Sequence, residues 1–262
     1  LCLAFNRSAR ETMAERLGDL AIPVKGPRAE ESHAVTAATF NSFGLSVLKK
    51  INFQDKPLDG FDLRKVINRA IERSGIKLQP LRDVQPWKDV AEGLSRVKAG
   101  LTLPKDVSVT IKTGGKPSDS REIDIEPILD QFDEACWTDM RVSYEDQIHQ
   151  ALVLLAKDFR LRSEFQDRYS HILVDEYQDL TPAQLSLVRI LSGKGQEVFV
   201  VGDDDQLIYS WNNVETDNFT VFSDSFPKQV EHPLSTNYRS SSSVVKHSQM
   251  LIKYNKNIFW MY

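Results

Sequence analysis

The sequence predicts an α/β fold with a parallel sheet, and three observations carry that reading. Ile172, Leu173 and Val174 form a short apolar run that ends abruptly in Asp175 and Glu176. Val198, Phe199, Val200 and Val201 form a second, which passes through Gly202 into Asp203, Asp204, Asp205 and Gln206. Between them lies a well-marked helix: Thr181 as N-cap, Pro182 at the first helical position, Gln184 completing a capping box, and Leu185, Val188 and Leu191 as an apolar stripe before Gly193. Strand, helix and strand in this order make a parallel crossover. Read as buried strands, both runs deliver carboxylates to the carboxyl edge of the sheet, where open α/β sheets bind ligands.

The remaining elements follow in chain order. Residues 1–5 (LCLAF) read as a further buried strand, and Asn6 or Ser8 caps a helix whose Ala9, Met13, Leu17 and Leu20 recur at helical spacing. Residues 23–33, with Pro23, Gly26 and Pro27, read as a surface connection, and residues 35–40 as a strand. Asn41 or Ser42 is placed to cap the helix that carries Phe43, Val47 and Leu48. After Asp59, Leu63, Val66, Ile67, Ala70 and Ile71 form a clean amphipathic helix. Residues 107–112 and 122–126 alternate like strands around a flexible glycine-rich loop. Ser143 with Asp146 makes another capping box, opening a helix with Ile148, Leu152, Leu155 and Phe159. Phe219, Phe222 and Phe226 read as packing residues of a loop, residues 230–234 as a strand, and Val244, Val245, Leu251 and Ile252 as one face of a final helix.

Composition bounds the function classes. With 262 residues, 41% of them hydrophobic and 27% charged, the chain has ordinary globular composition and enough apolar sequence for a real core. Cys2 and Cys136 are its only two cysteines, and no CxxC or Cys/His cluster occurs, which argues against a disulfide framework or a zinc site. No apolar run has the length of a membrane span, so a soluble, cytoplasmic protein in a reducing compartment is expected. The net charge of −4 argues against a simple polycationic nucleic-acid binder, but leaves room for a groove that grips single strands by stacking.

Carboxylates at adjacent strand ends suit a hard cation, and Mg²⁺ usually takes one or two of them together with substrate phosphates. Taken alone, Asp175, Glu176 and Asp179 could equally decorate a solvated loop. The wider pattern is more specific. DEYQD at 175–179 resembles the Walker-B motif of UvrD/Rep-like superfamily 1 helicases, GDDDQLIYSW at 202–211 resembles the motif that follows it, and Asn237, Tyr238, Arg239 and Ser240 match the family's NYRS motif. Phe5 and Asn6, with RSARETMAERL after them, resemble the first DNA-contacting motif. Thr39, Phe40, Asn41, Ser42 and Phe43 resemble the TxHSF motif, with Asn41 where the family has histidine.

The resemblance implies a RecA-like P-loop NTPase sheet with an inserted, mainly helical subdomain. Residues 1–52 and 141–240 would be the two parts of a first motor domain, 53–140 the insertion, and 241–262 the start of a connection to a second motor domain. It implies ATP and Mg²⁺ as cofactors, with Asp175 holding the metal and Glu176 orienting or deprotonating the attacking water. Gln206 would sense the γ-phosphate, Arg239 would act as an arginine finger, and Tyr238 would stack on adenine. Phe5, Asn6, Thr39, Asn41, Ser42, Tyr209 and Trp211 would contact single-stranded DNA or a single/double-strand junction.

The sequence also departs from the pattern. It contains no GxxxxGK[ST], and Asn212 and Asn213 stand where arginine and glycine are usual. The phosphate-binding loop is therefore expected upstream of Leu1 and a second motor domain downstream, and the 262-residue polypeptide by itself is expected neither to hydrolyse ATP appreciably nor to unwind duplex. Two rival readings are a non-catalytic single-strand-binding remnant using Phe5, Tyr209 and Trp211, and a metal-dependent nuclease built on Asp175, Glu176 and Asp203.

Overall fold

In the computed structural model, residues 1–28, 34–76, 85–112, 120–206 and 218–252 are described. The chain enters in strand β1 (Cys2–Ala4), which is buried throughout. Helix α1 (Arg7–Asp19) begins where the Asn6 side chain accepts the Ala9 N–H at 2.8 Å, so Asn6 rather than Ser8 is the cap. Strands β2 (Val24–Lys25) and β3 (Val35–Thr39) follow. Helix α2 (Phe40–Leu48) then starts earlier than the sequence suggests. Thr39 is its cap and Ser42 sits at the third helical position, completing a reciprocal capping box; neither Asn41 nor Ser42 is itself the cap.

Residues 53–140 contain helix α3 (Gly60–Arg73), helix α4 (Pro86–Gly100), strands β4 (Ser108–Lys112) and β5 (Ser120–Asp124), and helix α5 (Glu126–Thr138). The two strands pair antiparallel, with Val109 opposite Ile123, and the loop expected between them lies outside the described residues. Val66, Ile67, Ala70 and Ile71 bury one face of α3, as its periodicity predicts. They join Val90, Ile111, Ile125 and Ile128 in a hydrophobic cluster separate from the one beneath the main sheet.

Helix α6 (Asp146–Lys157) follows the expected reciprocal bonds between Ser143 and Asp146. It stops before Phe159 because the Asp158 carboxylate accepts the Leu161 N–H at 3.0 Å and opens a new helix, α7 (Phe159–Arg168). Phe159 is therefore exposed on α7 instead of extending the α6 stripe. Strand β6 (His171–Val174), helix α8 (Pro182–Leu191) and strand β7 (Glu197–Val200) form the crossover, with the Thr181/Gln184 capping box in place. Gly193 does not supply a left-handed turn after α8; that conformation falls to Gly195, at φ 83°. Gly193 instead makes room for Gln166, whose side-chain nitrogen would lie 2.9 Å from a Cβ there.

All five strands of the main sheet are parallel, in the order β2-β3-β1-β6-β7. Register puts Leu3, Ala38, Val174 and Val200 on one face, directed into or against the main core. Cys2, Ala37, Leu173 and Phe199 share the other face. There α1 packs against β1 and β3, while Leu173 and Phe199 remain 40% and 55% exposed. Among the described residues β6 and β7 are thus covered on one face only, not on both as their apolar sequences suggest.

Helix α9 (Asn218–Ser225) brings Phe219 and Phe222 against Tyr177, with ring centroids 5.9 and 5.4 Å away, and Phe226 stacks on Phe222. These phenylalanines are packing residues, with Phe219 and Phe222 on a helix instead of in a loop. The strand expected at 230–234 does not form: no described strand pairs with it, and Val230 and Leu234 are 76% and 86% exposed. Helix α10 (Ser242–Ile252) closes the described chain. Among the described residues no helix is long and apolar enough to cross a membrane.

Candidate active site

Parallel pairing brings several of the expected functional residues to one edge. Leu3 pairs with Val174 and Val174 with Val200, so Asp175 and the turn entered through Gly202 lie beyond neighbouring strand ends, and Phe5 and Asn6 lie beyond the next strand on the other side. Ala4 pairs with Thr39, which adds Thr39 to the row. The Asp175 backbone N–H donates to Leu3 O at 3.1 Å and the Tyr177 N–H to Val201 O at 3.0 Å, continuing the ladder past the strands on both sides. Asp175 lines an open groove together with Asn6, Ser8, Thr12 and Arg16.

At Glu176 the backbone turns left-handed, with φ 51° and ψ 49°, a conformation that costs a non-glycine residue roughly 1 kcal/mol or more. The tight turn Tyr177–Asp179 follows and is fully buried. It is held from outside by Asn218, whose side-chain nitrogen donates to the carbonyls of Tyr177, Gln178 and Leu180 at 3.0, 2.9 and 2.9 Å. Inside the turn, Gln178 Nε2 donates to Glu176 Oε2 at 2.8 Å, and Gln178 Oε1 accepts the Asp203 N–H at 3.1 Å. Asp203 in turn accepts from Gln206 twice, from Nε2 at 2.7 Å and from the backbone N–H at 3.1 Å. The two acidic motifs are therefore joined by hydrogen bonds through Gln178.

Electrostatics distinguish the acids. Burial, and then the neighbouring Glu176 charge, push the Asp175 carboxyl above the usual aspartate range, partly offset by a bond from the Glu176 backbone N–H. Asp179 is shifted upward by the same two causes, and its buried Oδ1 has no hydrogen-bond partner among the described residues. Among the described residues no group of three or more His, Cys, Asp or Glu is arranged to hold a metal ion by protein ligands alone. Asp175 is a partly exposed oxygen donor beside an open groove, which fits Mg²⁺ held by one carboxylate and substrate phosphates.

Other expected residues are placed differently. Phe5 is partly buried against the main core. The Thr39 and Ser42 hydroxyls bond each other within the α2 capping box, and Asn41 Nδ2 donates to Tyr144 O at 2.6 Å. Tyr238 is 93% exposed, Arg239 is exposed, and no hydrogen bond or ion pair among the described residues ties either to Asp175 or Glu176. Asn237 organises their turn by accepting the N–H groups of Arg239 and Ser240 at 3.0 and 2.9 Å. Tyr209 and Trp211 lie outside the described residues.

Sequence reasoning assigned no role to Gln178, Gly202 or Asn218. Gln178 sits inside a motif that was read for its acids. Gly202 carried the only available signal, a glycine between an apolar run and a cluster of acids. Asn218 carries none, because its acceptors lie far back along the chain.

The profile of the UvrD/REP helicase N-terminal domain matches residues 1–227. The chain is 29% identical over 267 aligned residues to the ATP-dependent DNA helicase Rep of Salmonella typhimurium, and equally to that of Escherichia coli, covering 97% of this chain and 36% of each relative. It is 27% identical over 267 aligned residues to the ATP-dependent DNA helicase PcrA of Bacillus subtilis, covering 98% of this chain and 33% of that relative. It spans about a third of the length of these curated relatives. Because the profile match runs from the first strand through the helix that packs on Tyr177, it takes in every element that builds the joined acidic edge, and the chain belongs to the UvrD/REP helicase N-terminal domain family, with its RecA-like fold.

Proposed function

We propose that this chain is most of the first motor domain of an ATP-dependent DNA helicase that couples ATP hydrolysis to movement along single-stranded DNA. Residues 1–52 and 141–240 form the motor domain, 53–140 its inserted subdomain, and 241–262 lead toward a second motor domain. The separate hydrophobic cluster built from α3, α4, α5 and the β4–β5 hairpin supports that division. The observation that carries the reading is the Glu176–Gln178–Asp203 hydrogen-bonded link at the carboxyl edge of two adjacent strands in a chain of this family.

Phosphoryl transfer needs positioned charge more than covalent chemistry from the protein. Asp175 would hold Mg²⁺, which would supply charge neutralisation at the ATP phosphates. Glu176 orients the attacking water and takes its proton. Gln206 contacts the γ-phosphate, Arg239 offsets charge developing on it, and Tyr238 stacks on adenine. Tyr209 and Trp211 stack on bases of the single strand, at roughly 1 to 3 kcal/mol per base. The strand of DNA, or its junction with duplex, crosses the row of residues Phe5, Asn6, Thr39, Asn41 and Ser42.

The test is DNA-stimulated ATP turnover in a polypeptide extended at both ends to the length of the Rep relatives, compared with its Glu176→Gln variant. Loss of turnover with ATP binding retained is expected. Unchanged turnover would overturn the role of Glu176. No turnover in either protein, with single-strand binding that depends on Trp211, would favour a non-catalytic binding protein. The 262-residue chain alone should show no steady ATPase.

A further inference from the structure

We propose that Gln178 is a positioning residue that locks Glu176 to the turn at 203–206, so that the carboxylate facing the attacking water and the amide facing the γ-phosphate keep one register. This rests on the ATP-hydrolysis reading of the site.

Both ends of the Gln178 amide are engaged, and they cannot be exchanged. Its nitrogen donates to the Glu176 carboxylate at 2.8 Å and its oxygen accepts the Asp203 backbone N–H at 3.1 Å. A flipped amide would set oxygen against carboxylate and N–H against N–H, with neither pair able to bond. The side chain is also immobilised. Gln178 is 4% exposed, and its own carbonyl takes a bond from Asn218. A Cβ on Gly202 would overlap Gln178 Oε1, so the absence of a side chain at position 202 is what lets the two turns meet.

The link has a direction. Gln206 donates to the Asp203 side chain, the Asp203 N–H donates to Gln178, and Gln178 donates to Glu176. A phosphate oxygen that draws the Gln206 amide toward itself therefore pulls on the turn to which Gln178 is bonded, and the pull arrives at the Glu176 carboxylate. Among the described residues, the side-chain donor on the Glu176 carboxylate is Gln178 Nε2, which is what fixes its aim.

The experiment uses the extended polypeptide and measures ATP turnover against pH and ATP concentration, with and without a single-stranded oligonucleotide, in Gln178→Leu, Gln178→Glu, Glu176→Gln and the Glu176→Gln/Gln178→Leu double variant. Gln178→Leu should lower kcat by about 10-fold to 100-fold, as small misplacements of a reacting group do, with KM for ATP within about two-fold and stimulation by the oligonucleotide lost. Gln178→Glu keeps the acceptor for Asp203 but sets a second carboxylate against Glu176. It should lower kcat as Gln178→Leu does, because like charges displace the Glu176 carboxylate, with KM for ATP again within about two-fold. In the Glu176→Gln background, Gln178→Leu should cost little more, because the two residues act as one unit.

Wild-type kcat in Gln178→Leu would overturn the proposal while leaving the hydrolysis reading intact. Wild-type turnover in Glu176→Gln would overturn the role of Glu176 on which the proposal rests, and no turnover in any of the proteins, wild type included, would overturn the hydrolysis reading. Should Gln178→Leu fail to fold, Gln178→Glu decides, and wild-type kcat in that variant overturns the proposal.

Discussion

Gly202 lies against the side-chain oxygen of Gln178 at a distance that leaves no room for a Cβ, and the same missing atom would meet the Phe219 ring at 2.9 Å and the Tyr177 nitrogen at 3.2 Å. Gly202 does not have positive φ, so its requirement is for space and not for an unusual backbone. Gly202→Ala should therefore force the turn at 203–206 away from β6. A loss of roughly 1 to 3 kcal/mol, typical of overpacking, is expected in urea unfolding. ATP turnover in the extended polypeptide should fall with it.

Asn218 satisfies three main-chain carbonyls of the turn that follows Glu176. Asn218→Ala leaves them without their donor in a buried setting, at a cost of about 1 to 3 kcal/mol. Urea unfolding measures the loss, and amide exchange should localise it. The Tyr177, Asp179 and Leu180 amides are expected to lose protection before those of α8.

Lys98 on α4 is buried between Asp133 of α5 and Asp146 of α6, and so pins residues of the second hydrophobic cluster's helices to the main body. Burial alone would raise Asp146, but Lys98 and the Ser143 hydroxyl outweigh it and hold the carboxyl below the usual range. Such a group adds stability above the ordinary aspartate pKa, and that stability is lost as pH falls through the depressed value. Lys98→Met strands the buried carboxylate and should cost about 3 to 5 kcal/mol at neutral pH. The deficit should shrink in acid, where Asp146 can protonate; denaturant melts at the two pH values check both points.

Asp179 has the opposite sign. Burial and then the Glu176 charge raise its carboxyl, and Oδ1 has no hydrogen-bond partner among the described residues. The folded state therefore holds a proton more tightly than the unfolded chain does. That contribution is complete below the ordinary aspartate pKa and is lost as pH rises through the raised value. Asp179→Asn should stabilise the fold by on the order of 1 kcal/mol at neutral pH, with no gain in acid. Thermal melts across that range would show a difference between the two proteins that grows with pH.

Much of the scaffold could be read directly, and the reasons are local. The Thr181/Gln184 and Ser143/Asp146 boxes and the two apolar runs ending in acids each express their structure within a few residues, and all appear in the fold. What escaped depends on distant partners. Residues 230–234 have strand-like sequence, but no described strand pairs with them. Phe159 fits the α6 stripe by spacing, yet Asp158 opens a new helix beneath it. At the site, Asp175, Glu176 and Gln206 are expected from their motifs, and the fold sets them at one edge of the sheet. Gln178 and Asn218 act across 25 and 38 to 41 positions respectively, a separation at which no local pattern is left to read.

The half-covered sheet has a consequence for handling the protein in solution. Among the described residues β7 is the outermost strand of the main sheet, and Phe199 and Val201 on it and Leu173 on β6 present apolar surface to water. An unpaired edge with apolar neighbours is a template on which a second polypeptide can add a strand. The formal charge of −4 on 262 residues offers only weak repulsion against that. Preparations of the isolated chain are thus expected to form oligomers as concentration rises, with β7 as the seam.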